Sequence, residues 1–477
     1  MKIFHPYFLL IFGFLLLSCT AFIENKEKVK IIGLKAPVEI LRDQWGINHI
    51  YAENKEDLFF AQGYAAAKDR LFQFEIWRRQ ATGTIAEILG SRAIKRDIGT
   101  RLFKYRGDMH EEMNHYHKDG AAIIQAYTLG VNAYIDEILK QPEKLPIEFK
   151  LLGLVPKKWT PEVVISRHQG LLGNINQELN IGRAVAEIGP KAVKKLMWFH
   201  PKNPNINLDP SITNKVLALD ILELYNAFRK EIEFKAEDLL PEYRGKVSLL
   251  KVPTTKIIPD DSHSIGSNNW VISGCKMKDG NTHMANDPHR KITIPSLRYM
   301  VHLSAPGWNV IGGGEPEIPG ISVGHNNFGT WGLTVYRTDG EDLYVYDINP
   351  ENYRQYLHNN EWIDMHSIAE TIKVKNQADV EVQLNYSLHG PITLIDTTTL
   401  KAYAVKCAWL EPGGAPYLAS LRMDQAKSWE EFREACNYSH IPGENMIWAD
   451  KEGNIGCLLY TSPSPRDATL SRMPSSA

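Results

Sequence analysis

Cysteine is scarce in this chain of 477 residues, which has only five, at positions 19, 275, 407, 436 and 457. No two of them form a C-x-x-C pair, so the common zinc and dithiol redox motifs have no support. An excess of charge of one sign is lacking too. With 54 Lys and Arg against 56 Asp and Glu the net charge is −2, and nothing points to a nucleic-acid or other polyanionic partner. Internal repeats are absent. What is present is ordinary for a folded protein: 43% hydrophobic and 23% charged residues, and enough chain to bury a large core. Eleven Trp and 20 Tyr suit a large enzyme or a carbohydrate binder equally.

The two ends stand apart from the rest. MKIFHPYFLLIFGFLLLSCT places Lys2 before an apolar run, Tyr7 to Leu17, about half of the roughly 20 residues a spanning helix needs. It reads as an export signal. Its ending, Leu16-Leu17-Ser18-Cys19, resembles a bacterial lipobox, whose cysteine is lipidated and becomes the first mature residue. A plain signal peptide with a chance cysteine is the alternative. The expectation is a lipoprotein-type signal over residues 1–19, location in the periplasm or cell envelope, and a membrane anchor at Cys19. Export also permits a disulfide, but sequence does not pair the cysteines. At the other end, CLLYTSPSPRDATLSRMPSSA is rich in Ser, Pro and Arg and has no apolar period after Tyr460. It is a disordered native tail or a non-native read-through. The second is the expectation for residues 457–477, with the real protein continuing past Gly456.

Between these ends the text changes character once. Residues 35–52 alternate apolar and polar around Gln44-Trp45-Gly46 and predict a hairpin. From Asp57 to Gly90, Phe60, Tyr64, Ala67, Leu71, Phe74 and Trp77 recur at steps of three and four, one apolar helix face. Asp57 is the expected N-cap, with Gly83 and Gly90 closing the segment. Further helical text covers about 109–140, 161–186 and 210–240, so residues 20–240 form an α-rich region. Residues 241–266 lose all period and read as an exposed spacer. From Ser267 to 456 the runs NNWVIS, THMAND, LRYMVHLSA, WNVIGG, GTWGLTVY, DLYVYDI, ADVEVQLNYSL and KAYAVKCAWL are β-rich. An α+β layered fold follows.

The junction, SHSIGSNNWVISG, poses the chemical question. Ser267 has no Gly-x-Ser-x-Gly elbow and no Ser-x-x-Lys partner. A His–Asp triad would need partners that sequence does not reveal. An N-terminal nucleophile needs none, because its own α-amine, with a reference pKa of about 7.7–8.0, serves as the base. The bond Gly266–Ser267 must then be cut, and Gly266, lacking Cβ, leaves its carbonyl open to the Ser267 hydroxyl.

Gly266-Ser267-Asn268-Asn269-Trp270-Val271 resembles the processing site of the penicillin acylase family of N-terminal nucleophile hydrolases. LRDQWGINHIYA and AQGYAAAKDRLFQFEIWRRQATGTIAEILG resemble the opening of the family's α chain, and ANDPH, PGISVGHNNFGTWGLT and ENMIWADKEGNIG follow in family order, over roughly residues 35–456. The resemblance implies a four-layer αββα sandwich and self-cleavage at Gly266–Ser267 into α and β chains. It implies hydrolysis of a small N-acyl amide (a β-lactam side chain, an N-acyl-homoserine lactone or a relative) through an acyl-enzyme.

It also implies roles residue by residue. Ser267 is nucleophile and base, and His289 in ANDPH helps to hold the amine. Val335 offers its backbone N–H, and Asn445 its side chain, to the oxyanion. Leu171, Leu172, Arg290 and Val323 fall at acyl-pocket positions, where Arg290 is either a surface charge or a greeting for an anionic acyl group. Glu178, Asp339 and Asp342 match a structural Ca²⁺ site, and no organic cofactor is implied. Taken singly, each has a plainer reading: a turn serine, a surface histidine, a strand valine, a turn asparagine, solvated loop charges. HEEMNH is not a zinc site, since its histidines are five apart rather than four. One departure concerns the end of the chain. The family places an arginine and a long stretch of β chain after GNIG, whereas the tail from Cys457 stands there. The rival from another class is a non-catalytic cell-envelope binding protein on the same fold; a second is a serine hydrolase whose nucleophile lies elsewhere.

Overall fold

In the computed structural model, which describes residues 29–166, 173–199, 203–246, 267–289, 293–336 and 338–458, the chain turns first at Gly46. Gly46 has φ +81° and donates its N–H to Asp43 O at 3.0 Å, closing a hairpin between β1 (Glu39–Arg42) and β2 (Asn48–Tyr51). Helix α1 follows, Lys55–Thr82. Its N-cap is Asn54, whose side chain accepts from Asp57 N, and not Asp57 as the sequence predicts. The Asp57 carboxylate is buried and occupied elsewhere: it accepts from Lys35 N and Ala36 N, each at 2.9 Å, and so ties down the chain before β1. At the other end Gly83, φ +62°, closes α1 by donating to Arg79 O, a left-handed conformation that favours glycine. Phe60, Tyr64, Ala67, Leu71 and Phe74 are buried, as the periodicity predicts, and Trp77 is half-buried.

Helix α2 (Gly120–Ile138) lies along α1. Their backbones approach so closely that a methyl on Gly63 would collide with the Tyr127 carbonyl, and one on Gly130 with the Phe60 carbonyl. Several further helices follow, among them α3 (Asn174–Ile188) and α4 (Glu223–Arg229), and the chain then becomes almost entirely β. Strands β3 (Asn268–Ile272) and β4 (His283–Asp287) pair only with each other. An eight-stranded sheet has the order β1-β2-β5-β6-β7-β8-β16-β17, with β5 at Tyr299–Ala305, β6 at Trp308–Gly314, β7 at Val323–Asn326 and β8 at Gly329–Val335. Its last two strands come from the end of the chain: β16 is Glu444–Asp450 and β17 is Ile455–Leu458. Every pairing in it is antiparallel except β2 with β5.

The second sheet has seven strands in the order β11-β10-β9-β15-β14-β13-β12. These are β9 (Glu341–Asn349), β10 (Asn352–His358), β11 (Glu361–Asp364), β12 (His366–Ile372), β13 (Val380–Ser387), β14 (Gly390–Asp396) and β15 (Lys401–Cys407). Its core joins Leu384, Tyr403 and Val405 to Ile175 and Leu179 of α3 and to Tyr225 and Phe228 of α4. The architecture is mixed α+β with several sheets. Strand β17 includes Cys457 and Leu458, opposite Ile447 and Met446. Cys19, Leu171, Leu172, Gly266, Arg290 and the text after Leu458 lie outside the described residues. Among the described residues no helix is long and apolar enough to cross a membrane, and Cys275, Cys407, Cys436 and Cys457 are all free thiols.

Candidate active site

Ser267 stands immediately before β3, and the β3–β4 hairpin lies on one face of the eight-stranded sheet, over β8, β16 and β17. The sequence of β8 explains the seat. Side chains alternate along a strand, so Thr330, Gly332 and Thr334 share one face while Trp331 and Leu333 share the other. Trp331, Leu333 and their cross-strand partners Trp448 and Met446 are buried, and Phe432 of helix α5 (Trp429–Cys436) packs on both tryptophans. The opposite face carries the hairpin. Thr330 Oγ1 lies 3.9 Å from Met284 Sδ, and Gly332 makes room for Asn286, whose Cγ a Cβ at Gly332 would approach to 2.5 Å. Two residues along β8 thus correspond to two along β4. One more such step sets the open end of the hairpin, with Ser267 and His289, over Thr334 and Val335.

At that end the His289 backbone N–H donates to Ser267 Oγ at 3.0 Å. The His289 ring faces its own strand, with Nδ1 3.1 Å from Asp287 Oδ2. His289 therefore meets the serine through its main chain. Asn445, the second residue of β16, pairs with Thr334 on the hairpin face, with Nδ2 3.4 Å from Thr334 Oγ1. Val335 is 48% exposed at the end of β8. Because Tyr336 N–H donates to Gly443 O at 2.8 Å, the ladder alternation turns the preceding N–H, that of Val335, away from β16. Gly324 pairs with Trp331, which sets Val323 beside Gly332 on the hairpin face as well.

Two residues that the sequence did not single out belong to this site. Asn269 and Asn286 are directly opposite each other in the hairpin. Asn269 Nδ2, Asn286 Oδ1 and Asn445 Oδ1 are buried with no hydrogen-bond partner among the described residues. An unsatisfied buried polar atom costs about 1–3 kcal/mol, and these three lie on the hairpin that Ser267 precedes and on β16 beneath it, where a polar group would satisfy them. Composition carried no signal for Asn286; only the glycine opposite it, Gly332, betrays the close contact.

The three acidic candidates lie between α3 and the start of β9. Asn174 organises them, donating from Nδ2 to Glu178 Oε1 at 2.6 Å, to Asp339 Oδ1 at 2.9 Å and to Glu341 O at 2.9 Å. Burial, reinforced by Asp339 and Asp342, pushes the Glu178 carboxyl up to about 7. Burial and Asp342 raise Asp339 as well. Among the described residues no group of three or more His, Cys, Asp or Glu is placed to hold a metal ion. The donors are nevertheless of the right kind, because carboxylates that resist ionising together are relieved by a hard cation. In HEEMNH, His110 Nε2 meets Asn114 Nδ2 at 3.1 Å and His115 Nε2 meets Tyr438 O at 3.2 Å, so the two rings have separate neighbours.

The chain is similar in sequence to several known acylases. The chain is 28% identical over 466 residues to penicillin G acylase of Escherichia coli, which covers 90% of this chain and 54% of the relative. It is 28% identical over 435 residues to penicillin acylase 2 proenzyme of Pseudomonas sp. strain SE83, covering 90% and 53%. It is also 28% identical over 367 residues to acyl-homoserine lactone acylase QuiP of Pseudomonas aeruginosa, covering 76% and 40%. The chain spans about half the length of the curated relatives it matches. Among solved structures, thermostable penicillin G acylase from Alcaligenes faecalis matches with a TM-score of 0.38 at 30% identity, over 40% of this chain and 35% of that one. The family model described as penicillin amidase matches residues 37–474, and the chain belongs to that family.

Proposed function

We propose that the protein is an amidohydrolase whose nucleophile, Ser267, is released by self-cleavage at Gly266–Ser267. The observation that carries this reading is the His289 N–H···Oγ Ser267 bond of 3.0 Å at the open end of a hairpin seated on the strands of Val335 and Asn445. In the cleavage the Ser267 hydroxyl attacks the Gly266 carbonyl. The acyl group shifts from nitrogen to oxygen, and water hydrolyses the ester to a Gly266 carboxylate and a free Ser267 amine. In turnover that amine accepts the hydroxyl proton while Oγ adds to the substrate amide carbon. The oxyanion takes hydrogen bonds from Val335 N–H and Asn445 Nδ2, and the intermediate expels the amine product with the proton. Water then hydrolyses the acyl ester. The orphaned acceptors Asn445 Oδ1 and Asn286 Oδ1 suit the N–H groups of a freed α-amine.

The substrate in this reading is a small N-acyl amide, of the kinds named for the relatives: penicillins and acyl-homoserine lactones. Val323 lines its acyl side, joined by Leu171, Leu172 and Arg290. Glu178, Asp339 and Asp342 would hold Ca²⁺, which supplies positive charge that lets all three ionise and fixes the turn from β8 into β9. The four-layer αββα sandwich, the export signal, the periplasmic or envelope location and the lipid anchor at Cys19 belong to the same proposal.

Expression of the full gene, with intact-mass measurement and N-terminal sequencing, tests it. Two chains are expected, one beginning at Ser267, and Ser267→Ala should leave one. A single uncut wild-type chain favours the non-catalytic envelope protein, and cleavage persisting in Ser267→Ala assigns the cut to another protease.

A further inference from the structure

His49 on β2 and His302 on β5 are register partners across the single parallel seam of the eight-stranded sheet. Their Nδ1 atoms are 3.2 Å apart, and the rings meet edge to face at a centroid distance of 5.2 Å. The other nitrogen of each ring already faces an acceptor. His49 Nε2 lies 3.4 Å from Asp43 Oδ2, and His302 Nε2 lies 2.9 Å from Asn309 Oδ1. Neither acceptor is free to turn away. Asp43 Oδ1 receives the N–H groups of Trp45 and Ile47, each at 2.9 Å, and Asn309 Nδ2 donates to Asn327 Oδ1 at 2.8 Å.

These acceptors suit the tautomer of each ring that carries its proton on Nε2. A neutral imidazole has one N–H, so both Nδ1 atoms then present lone pairs to each other. In that tautomer pair the two lone pairs, 3.2 Å apart, are spaced to share one cation. Two imidazole nitrogens on one tetrahedral zinc, each at ~2.05 Å, stand about 3.3 Å apart. A carboxylate or amide behind each ring is the outer support that metal-bound histidines usually have. The His49 side chain is 25% exposed, which leaves room for water to complete the coordination.

We propose that His49 and His302 form a binding site for a borderline transition-metal ion such as Zn²⁺, with both Nδ1 atoms as ligands and Asp43 and Asn309 as their orienting partners. The site is separate from Ser267, since β5 and β8 are three strands apart, about 14 Å at ~4.8 Å per strand. β2 precedes residue 266 and β5 follows it, so the ion would clasp the two halves of the sheet together. That role rests on the proposed cleavage; metal binding itself does not.

Calorimetric titration of the full chain with Zn²⁺ tests the site. One saturable equivalent is expected that is lost, or weakened at least ~10-fold, in His49→Gln and in His302→Gln. Asp43→Asn and Asn309→Ala, which keep both rings, should weaken it ~10–100-fold. Millimolar Ca²⁺ should not displace the ion, because hard cations prefer oxygen ligands. Circular dichroism checks that each variant folds; should a histidine variant fail, Asn309→Ala at its exposed position carries the test. Absence of Zn²⁺ uptake, or equal uptake by the wild type and every folded variant, overturns the proposal. Binding that persists in uncleaved Ser267→Ala keeps this result independent of the hydrolase reading.

Discussion

Gly332→Ala is the substitution that most directly tests how Ser267, the proposed nucleophile, is positioned. An added Cβ would stand 2.5 Å from Asn286 Cγ and 2.7 Å from both Asn286 Cβ and Oδ1. Carbon atoms in contact prefer about 3.5–4.0 Å, so the hairpin must rise from the sheet by roughly 1 Å. Overpacking of this kind costs about 1–3 kcal/mol. The larger effect falls on chemistry, because a displacement of about 1 Å in a catalytic group lowers rates by ~10²-fold. Urea unfolding should show a lower midpoint at unchanged slope, and cleavage at residue 266 and amide turnover should both slow. A second substitution separates this cause from general damage. Asn286→Gly removes all three colliding atoms, so in that background Gly332→Ala should cost less by about 0.5–3 kcal/mol. If the two losses simply add, or if Gly332→Ala alone processes and turns over like the wild type, the seating of the hairpin on β8 is not what aims Ser267.

Asn445→Ala should lower kcat ~10²–10³-fold with little change in KM, since an oxyanion donor acts on the transition state; a loss below threefold would remove Asn445 from that role. The Glu178 carboxyl, held up to about 7 against an ordinary 4.5, binds a proton in the folded state that the unfolded chain has released. Its contribution is therefore complete below about pH 4.5 and lost as pH rises through 7, and thermal midpoints without Ca²⁺ should decline over that window. Under the proposed Ca²⁺ assignment millimolar Ca²⁺ would replace the proton, so it should stabilise more at pH 8 than at pH 5. Glu178→Gln should abolish the difference, and a Ca²⁺ effect equal at both values would contradict the assignment. Asn54→Ala should destabilise by about 1 kcal/mol as a lost helix cap. Asp57→Ala should do more, because Lys35 N and Ala36 N lose their acceptor; the reverse order in chemical denaturation would restore Asp57 as the cap.

What could be read in advance follows the range of the interactions. The turn at Gly46 and the stop at Gly83 were legible because a positive φ leaves its mark on a single residue. The N-cap was not, because Asn54 and Asp57 are both good capping types and only the distant Lys35 and Ala36 amides decide between them. The strands after Ser267 were legible from alternation, but their order was not. β16 enters beside β8 although 108 residues lie between Val335 and its register partner Glu444 — a neighbour relation with no local signature. Ser267 and Asn445 stood out through the motifs around them. Asn269 and Asn286 lie inside two of the same motifs yet were given no role, because their significance lies in a contact between a hairpin and a sheet face.

The same topology bears on how a chain cut before Ser267 could remain one protein. Elements from the two sides of residue 266 are not separate domains that merely touch. β1 and β2 complete the eight-stranded sheet by pairing with β5. Asn48 Nδ2 meets Tyr299 Oη at 2.6 Å, and that hydroxyl donates to Asp69 at 2.8 Å. Gln62 of α1 and Gly320 exchange two buried hydrogen bonds, at 3.2 and 3.1 Å. At the second sheet the buried Glu341 carboxylate accepts from Tyr225 Oη at 2.7 Å and from Trp409 Nε1 at 2.8 Å, one partner from each side of the spacer. All of these links but the part-buried Tyr299–Asp69 bond are buried, and breaking one would strand a polar group in the interior, at about 1–3 kcal/mol apiece in addition to the apolar core around Ile175, Tyr225 and Tyr403. Cleavage would thus remove a covalent link that the fold does not depend on. A chain severed at 266 by a specific protease should accordingly elute as one particle in gel filtration, and separation into two without denaturant would refute this account.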